Sequence, residues 1–371
     1  MLPVVAAQST AFAGSAVGAS KVAVKMTKAH TALDETADGQ YKRSVAAFLG
    51  GRIAPGTKYE PVADRYHLYV SLACPWAAGT LTALCVKGLE HAISHSVVHP
   101  TWRRTRPEDA EDTHCGWHFK VPGDAPVSNE LGHGENECDE HCIPDVVNGL
   151  STLRQVYELA KDTAGKYSTP VLFDKETNTI VSNESVDILR ILDSAFQEFA
   201  THPELQLFPG GAVGAELEQL NSELIYDGIN NGVYRCGFAT KQKPYDDAYA
   251  QLFASLAAVE ERLATRRFLA GTPEPTWLDI RLFHTLVRFD PVYVVYFKTN
   301  AKRIADHPNL LGFMRDVYQW GAVRRSVNMR HIKTHYFTSH VKLNPYGIIP
   351  GHDGPDLLAE PGRAHLAKEL A

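Results

Sequence analysis

The sequence predicts an α/β domain followed by an all-α domain, and three observations carry this. Residues 65–99 read as strand, loop, helix, strand; residues 151–196 read as helix, two strands, helix; and beyond Pro203 apolar residues recur almost everywhere at helical spacing. With 371 residues, 44% of them hydrophobic, the chain can bury a sizeable core and is expected to divide it between two domains.

In the first block, Arg65 to Ser71 alternates and is rich in β-formers, so it reads as a strand. The run Trp76 to Lys87 has helical spacing and stops at Gly88, and Ala92 to His99 reads as a second strand. From His99 to about Val147 the pattern breaks down into a polar, Pro- and Gly-containing stretch, expected to be a long surface excursion. Order resumes with a helix over 151–161, strands over 169–173 and 179–181, and a helix over 184–196. The later helices are expected over 215–229, 245–262, 276–288 and 310–320. Thr276 and Asp279 have capping-box spacing, a structural role. The expected layout is an N-terminal extension over 1–60, the α/β domain over 61–200 with an insertion at about 100–147, the helical domain over 204–340, and a loose tail over 341–371.

A formal charge of -6 argues against a protein built to coat nucleic acid or an anionic membrane, and no apolar run is long enough to span a bilayer. Six cysteines over this length are too few for a disulfide scaffold, which favours a reducing compartment. The first thirty-three residues are rich in Ala, Val, Ser and Thr and carry Lys21, Lys25 and Lys28 with no acid before Asp34. That bias fits either an organelle transit peptide or a plain tail, so a plastid or the cytoplasm is expected.

The chemistry centres on Cys74, in Tyr-Val-Ser-Leu-Ala-Cys-Pro-Trp-Ala. A thiolate is the nucleophile, and the start of a helix, with unpaired N–H groups and a positive dipole end, favours that anion. Pro75 suits the first helical turn. A strand, Cys-Pro-aromatic and a helix make up the arrangement of thioredoxin-fold redox enzymes, with Ala77 in place of their second cysteine. Cys85 is roughly 16 Å along the helix, too far for a disulfide. Cys74 is therefore expected to act as a monothiol, forming a mixed disulfide that an external thiol resolves; a buried structural cysteine is the bland alternative. Thr169-Pro170-Val171 puts a proline where thioredoxin-like domains keep a cis bond, which leaves neighbouring backbone to pair with a peptide ligand. Asn183-Glu184-Ser185 starts a helix, so Ser185 and local N–H groups could take a carboxylate and Glu184 an ammonium group, the two charges of a γ-glutamyl end. A plain helix cap is the competing reading of Glu184 and Ser185.

From about Tyr66 to Pro350 the sequence resembles the glutathionyl-hydroquinone reductases, the Xi class of glutathione transferases. The resemblance rests on residues 66–77, Gly116-Trp117, 180–185, 226–235, 279–283, 288–293 and 331–336, while 100–105 resembles plant and algal members. It implies a homodimer of thioredoxin-like plus all-helical subunits, glutathione as co-substrate, and reduction of S-glutathionyl-hydroquinones through Cys74. It implies glutathione binding by Trp117, the backbone at Thr169 or Val171 beside Pro170, Glu184 and Ser185, and contacts from Tyr234, Tyr293 and Tyr336 to the hydroquinone oxygen. The alternatives are a conventional glutathione transferase or dehydroascorbate-reductase-like thiol transferase, and a non-catalytic binding module of the same fold. Relatives usually follow Cys-Pro-Trp-Ala with a polar residue and Arg; here Ala78 and Gly79 stand there, so a cation near the thiol is missing or comes from elsewhere. Cys138-x2-His141-Cys142, with His133 nearby, lacks the second half of a zinc pattern, so these are expected to be solvated loop residues and no metal is expected.

Overall fold

The computed structural model describes residues 28–34 and 36–368; most of the segment read as a transit peptide or tail lies outside them. A four-stranded sheet is built from β1 (Tyr66–Val70), β2 (Ser94–Val97), β3 (Val171–Asp174) and β4 (Thr179–Ser182). The spatial order is β2-β1-β3-β4, with β1 and β2 parallel and the other pairs antiparallel. The parallel pair is joined through α1 (Pro75–Val86), which ends where Gly88 takes a left-handed φ of 65° that a side chain would strain. The central strand β1 is buried on both faces. Tyr66, Leu68 and Val70 join a core shared with α1 and α3 (Ser185–Ser194), whereas Tyr69 faces a second core of Trp117, Phe119, Val171 and Phe173 with α2 (Leu153–Leu159).

The 100–147 stretch is not the solvated excursion the sequence suggests. Trp102, Cys115, Trp117 and Phe119 are buried against the sheet, and the chain returns through Asp145, whose carboxylate accepts from Tyr69 Oη at 2.8 Å and from the N–H groups of Val147, Asn148 and Leu150. Cys138 and Cys142 are likewise buried, in a small cluster with Val127, while His133 and His141 are exposed. A polar segment can pack in this way because a few apolar residues anchor it and a buried carboxylate gathers its turns.

The helical region comprises α4 (Gly211–Leu220), α5 (Gly232–Gly237), α6 (Gln242–Leu263), α7 (Trp277–Leu286), α8 (Pro308–Gln319) and α9 (Met329–Ser339). Two segments are wound as π-helix, Asn221–Asn230 between α4 and α5 and Phe289–Tyr293 after α7. Helices α5 and α9 carry no expectation from apolar spacing. The two regions are tied by polar groups inside the core. Asp193 accepts from the N–H groups of Leu207 and Phe208 at 3.0 Å each, and Arg288 donates to the carbonyls of Leu72 at 2.8 Å and Ala73 at 2.9 Å. The stretch beyond Lys342 is not loose: Arg363 is buried and donates to the carbonyls of Leu263, Arg266 and Arg267, closing the open end of α6. Among the described residues no helix is long and apolar enough to cross a membrane.

Candidate active site

Cys74 is the N-cap of α1, with Pro75 at the first helical position, so its side chain stands at the positive end of a twelve-residue helix. It is the one cysteine of six that is not buried. Burial pushes the thiols of Cys85, Cys142 and Cys236 up to about 12, which keeps them protonated and inert near neutral pH. The Thr169–Pro170 bond is cis, and Cys74 Sγ points at the Thr169 carbonyl, 3.6 Å away. Val171, the alternative backbone contact, is fully buried in β3 opposite Tyr69 and lines neither cavity beside Cys74.

Two adjoining cavities share Arg43, Trp76 and Thr169, and Cys74 lines the smaller of them. One, of about 110 Å³, is lined by Cys74, Trp117, Thr169, Tyr234 and Tyr336. Trp117 is buried and stacks on His335 with centroids 4.5 Å apart. The three tyrosines named by the family resemblance do come together. Tyr336 Oη lies 2.7 Å from Tyr234 Oη and 3.0 Å from Tyr293 Oη. Tyr293 is fully buried and outside the cavity lining, so it holds the Tyr336 hydroxyl from behind. Burial drives the Tyr234 and Tyr336 hydroxyls well above the ordinary tyrosine range, which leaves them as neutral O–H groups. The imidazole of His335 is kept neutral by its burial.

The second cavity, about 280 Å³, extends from Trp76 to the head of α3 and is lined by Thr169, Pro170, Asn183, Glu184 and Ser185. Glu184 caps α3: its Oε1 accepts from Val186 N–H and from the Ser185 hydroxyl, each at 3.3 Å. Capping and ligand binding are compatible here because both residues also face the cavity.

Two arginines in this cavity were not singled out by sequence reasoning. The guanidinium carbons of Arg43 and Arg281 each lie 4.7 Å from the Trp76 ring centroid, and Arg281 stacks equally on Tyr226. Arg281 is buried, and its Nε has no hydrogen-bond partner. Burial, with Arg43 adding repulsion, pulls its pKa down to about 10 against the pull of Tyr226 and Glu184. A desolvated cation of this kind lining a cavity suits an anionic ligand group. Gly79, where the family resemblance implies a cation, faces elsewhere: a Cβ there would stand 3.7 Å from His284 Cδ2 and 3.8 Å from Ile280 Cγ2 on α7.

Outside these cavities the structure also brings together Asp139, Cys142 and His331, whose potential ligand atoms lie within 4.8 Å of one another. Asp139 Oδ1 already pairs with His331 Nε2 at 2.9 Å, a contact that docks the insertion onto α9.

A cysteine at a helix head, a cis-proline opposite it, and a cavity running to the start of the next sheet-covering helix, backed by an all-helical region, define a glutathione transferase. Residues 73–195 match the family described as glutathione S-transferase, N-terminal domain, and residues 242–316 match glutathione S-transferase, C-terminal domain. The chain is 40% identical over 338 residues to the glutathionyl-hydroquinone reductase YqjG of Escherichia coli, covering 88% of this chain and 92% of that protein. It is 39% identical to the glutathionyl-hydroquinone reductase PcpF of Sphingobium chlorophenolicum, covering 85% and 90%. Among solved structures, the glutathione-bound form of YqjG superposes with a TM-score of 0.72 at 41% identity, over 83% of this chain and 92% of that one. The Xi glutathione transferase ECM4 of Saccharomyces cerevisiae in complex with glutathione superposes with a TM-score of 0.74 at 34% identity, over 84% and 98%. The chain belongs to the glutathionyl-hydroquinone reductases, the Xi class of glutathione transferases.

Proposed function

We propose that the chain reduces S-glutathionyl-hydroquinones to free hydroquinones with glutathione as co-substrate, and that Cys74 is its nucleophile. The observation that carries this reading is the shared cavity: the one unburied thiol opens onto the same small space as the hydroxyls of Tyr234 and Tyr336.

The Cys74 thiolate attacks the glutathionyl sulfur of the aryl thioether. A sulfur–sulfur bond forms, the sulfur–aryl carbon bond breaks, and the ring carbon takes up a proton, so hydroquinone leaves and a Cys74–glutathione mixed disulfide remains. A second glutathione attacks that disulfide, leaves as glutathione disulfide and returns Cys74 as thiolate. Tyr234 and Tyr336, neutral O–H donors, hydrogen-bond the hydroquinone oxygen as charge builds on the ring, and Tyr293 orients Tyr336. The γ-glutamyl end of glutathione occupies the larger cavity, its ammonium near Glu184 and its carboxylate between Ser185 and Arg281. Thr169 beside the cis-proline pairs with the peptide backbone, and Trp117 covers the glutathionyl group from the Tyr336 side. The working unit is taken to be a homodimer, as the family resemblance implies.

The test compares wild type with Cys74→Ser in turnover of glutathionyl-hydroquinone, with intact-mass detection of the glutathione adduct. Wild type should form one adduct and release hydroquinone, and the variant should do neither. Full activity in Cys74→Ser sinks the reading, whereas an adduct with inert hydroquinone conjugates points to a thiol transferase with another acceptor.

A further inference from the structure

The residues preceding the sheet run along the outside of the glutathione cavity as an arm. Its path is set by Phe48, whose N–H donates to Asn183 Oδ1 at 2.9 Å and whose carbonyl accepts from Asn183 N–H at 3.2 Å. This seats the arm on the head of α3, and the chain just before Phe48 then crosses over Trp76. Arg43 is the cation on that crossing. It is half-buried, lines both cavities, and lies with its guanidinium carbon 4.7 Å from the Trp76 centroid and 5.3 Å from that of Tyr234. Asn231, at the end of the first π-helical segment, accepts from Arg43 Nε at 3.0 Å and so fixes the fork's orientation. Arg43 makes no ion pair with any carboxylate among the described residues.

We infer that Arg43 is the positioning residue that stabilises the Cys74 thiolate, supplying from the N-terminal arm the positive charge that the α1 motif of this chain does not carry. The inference rests on the reading of Cys74 as nucleophile. A guanidinium remains charged at any working pH, and Trp76 and Asn231 hold this one in the lining of the small cavity that Cys74 also lines. Burial works against the Arg43 charge, while Tyr41, Tyr234, Tyr226 and Cys74 around it favour it, and the balance holds its pKa above the ordinary arginine value.

The other groups facing Cys74 do not supply this charge equally. Tyr234, Tyr336 and His335 are neutral, and burial holds His114 neutral as well, down to about 4. Cys115 donates its S–H to Glu130 Oε2 at 2.8 Å. Arg281 lies beyond Trp76 in the neighbouring cavity, and Arg288 is taken up by the carbonyls of Leu72 and Ala73 behind Cys74 and by that of His284. Lys166 and His30 border the same cavity, and Lys166 is the cation against which Arg43 must be compared.

The measurement is the pH dependence of iodoacetamide alkylation at Cys74, followed by peptide mass spectrometry, in wild type, Arg43→Met, Arg43→Gln, Arg43→Lys and Lys166→Met. Folding of each is checked by circular dichroism. Loss of a cation that lines the same small cavity as the thiol should move the alkylation midpoint up by about one pH unit or more in Arg43→Met and Arg43→Gln. Arg43→Lys should recover most of that displacement, and Lys166→Met should leave the midpoint near wild type. Coincident profiles for wild type and the two neutral variants overturn the inference, as does a Lys166→Met displacement as large as that of Arg43→Met. Alkylation needs no hydroquinone, so a displaced profile in an enzyme inert toward glutathionyl-hydroquinones would count against the proposed reaction alone.

Discussion

Single residues decide the chemistry here through what surrounds them. Cys74 differs from the other five thiols by exposure and by its place at a helix head, and both follow from a strand that ends one turn before Pro75. Position and motif made this thiol legible from sequence, as they did the cis-proline and the capping pair at Glu184 and Ser185. Arg43 and Arg281 were not legible. Each lies far from Cys74 along the chain, and nothing in the local pattern of an arginine says which aromatic ring it will stack on. Arg281 sits in a helix whose apolar spacing marks it only as a face turned toward the core. Its buried, unpartnered Nε makes a sharp prediction. Arg281→Met should weaken glutathione binding roughly tenfold through loss of a charge-assisted contact, while Cys74 remains open to alkylation. Titration calorimetry with glutathione measures it, and an unchanged affinity would remove Arg281 from the site.

Among the elements, those with a clean hydrophobic period were readable: the β1–α1–β2 unit, the β3–β4 hairpin, and the long helices α6, α7 and α8. The two π-helical segments were not, because apolar spacing cannot distinguish a locally widened turn from a regular one. Both matter to the site. Asn221–Asn230 presents Tyr226 to Arg281 and is followed by Asn231, the acceptor for Arg43, and Phe289–Tyr293 delivers Tyr293 to Tyr336. The short helices α5 and α9 escaped notice for a related reason, since α9 is rich in histidine and threonine that bury through hydrogen bonds rather than apolar contact. Helix α7 was anticipated together with its cap, yet its Asp279 does more than cap. It accepts from Thr276 N–H and Thr276 Oγ1, and also from Leu269 N–H at 2.8 Å, which ties the preceding loop to the helix. Asp279→Ala should therefore cost about 2–4 kcal/mol, more than a cap alone, because it strands buried donors. Urea unfolding would show this, and a loss of only about 1 kcal/mol would reduce Asp279 to an ordinary cap.

The molecule as a whole buries an unusual set of imidazoles. Burial holds His67, His118 and His340 down to about 3, and His99 and His114 down to about 4. Such groups are neutral when folded and protonate near their ordinary value of 6.5 when unfolded. Below that value the unfolded state binds more protons, so stability is complete above about pH 6.5 and falls as the pH drops toward the folded values, by up to about 1.4 kcal/mol per pH unit for each histidine. Urea midpoints should decline steadily between about pH 6.5 and 4, and a flat midpoint across that range would refute the account. At this scale the two-domain class was legible because it follows from the order of periodic segments. The packing of the 100–147 stretch and the strap after Lys342 was not, since each is held by a few anchors such as Asp145 and Arg363 that look unremarkable among polar neighbours. The arrangement of the cysteines has one last practical meaning. Five are buried and Cys74 alone is partly exposed. With Cys74 as the proposed nucleophile, a dye that marks accessible sulfhydryls at neutral pH thus becomes a census of competent molecules, its stoichiometry falling below unity only as far as a preparation contains dead protein.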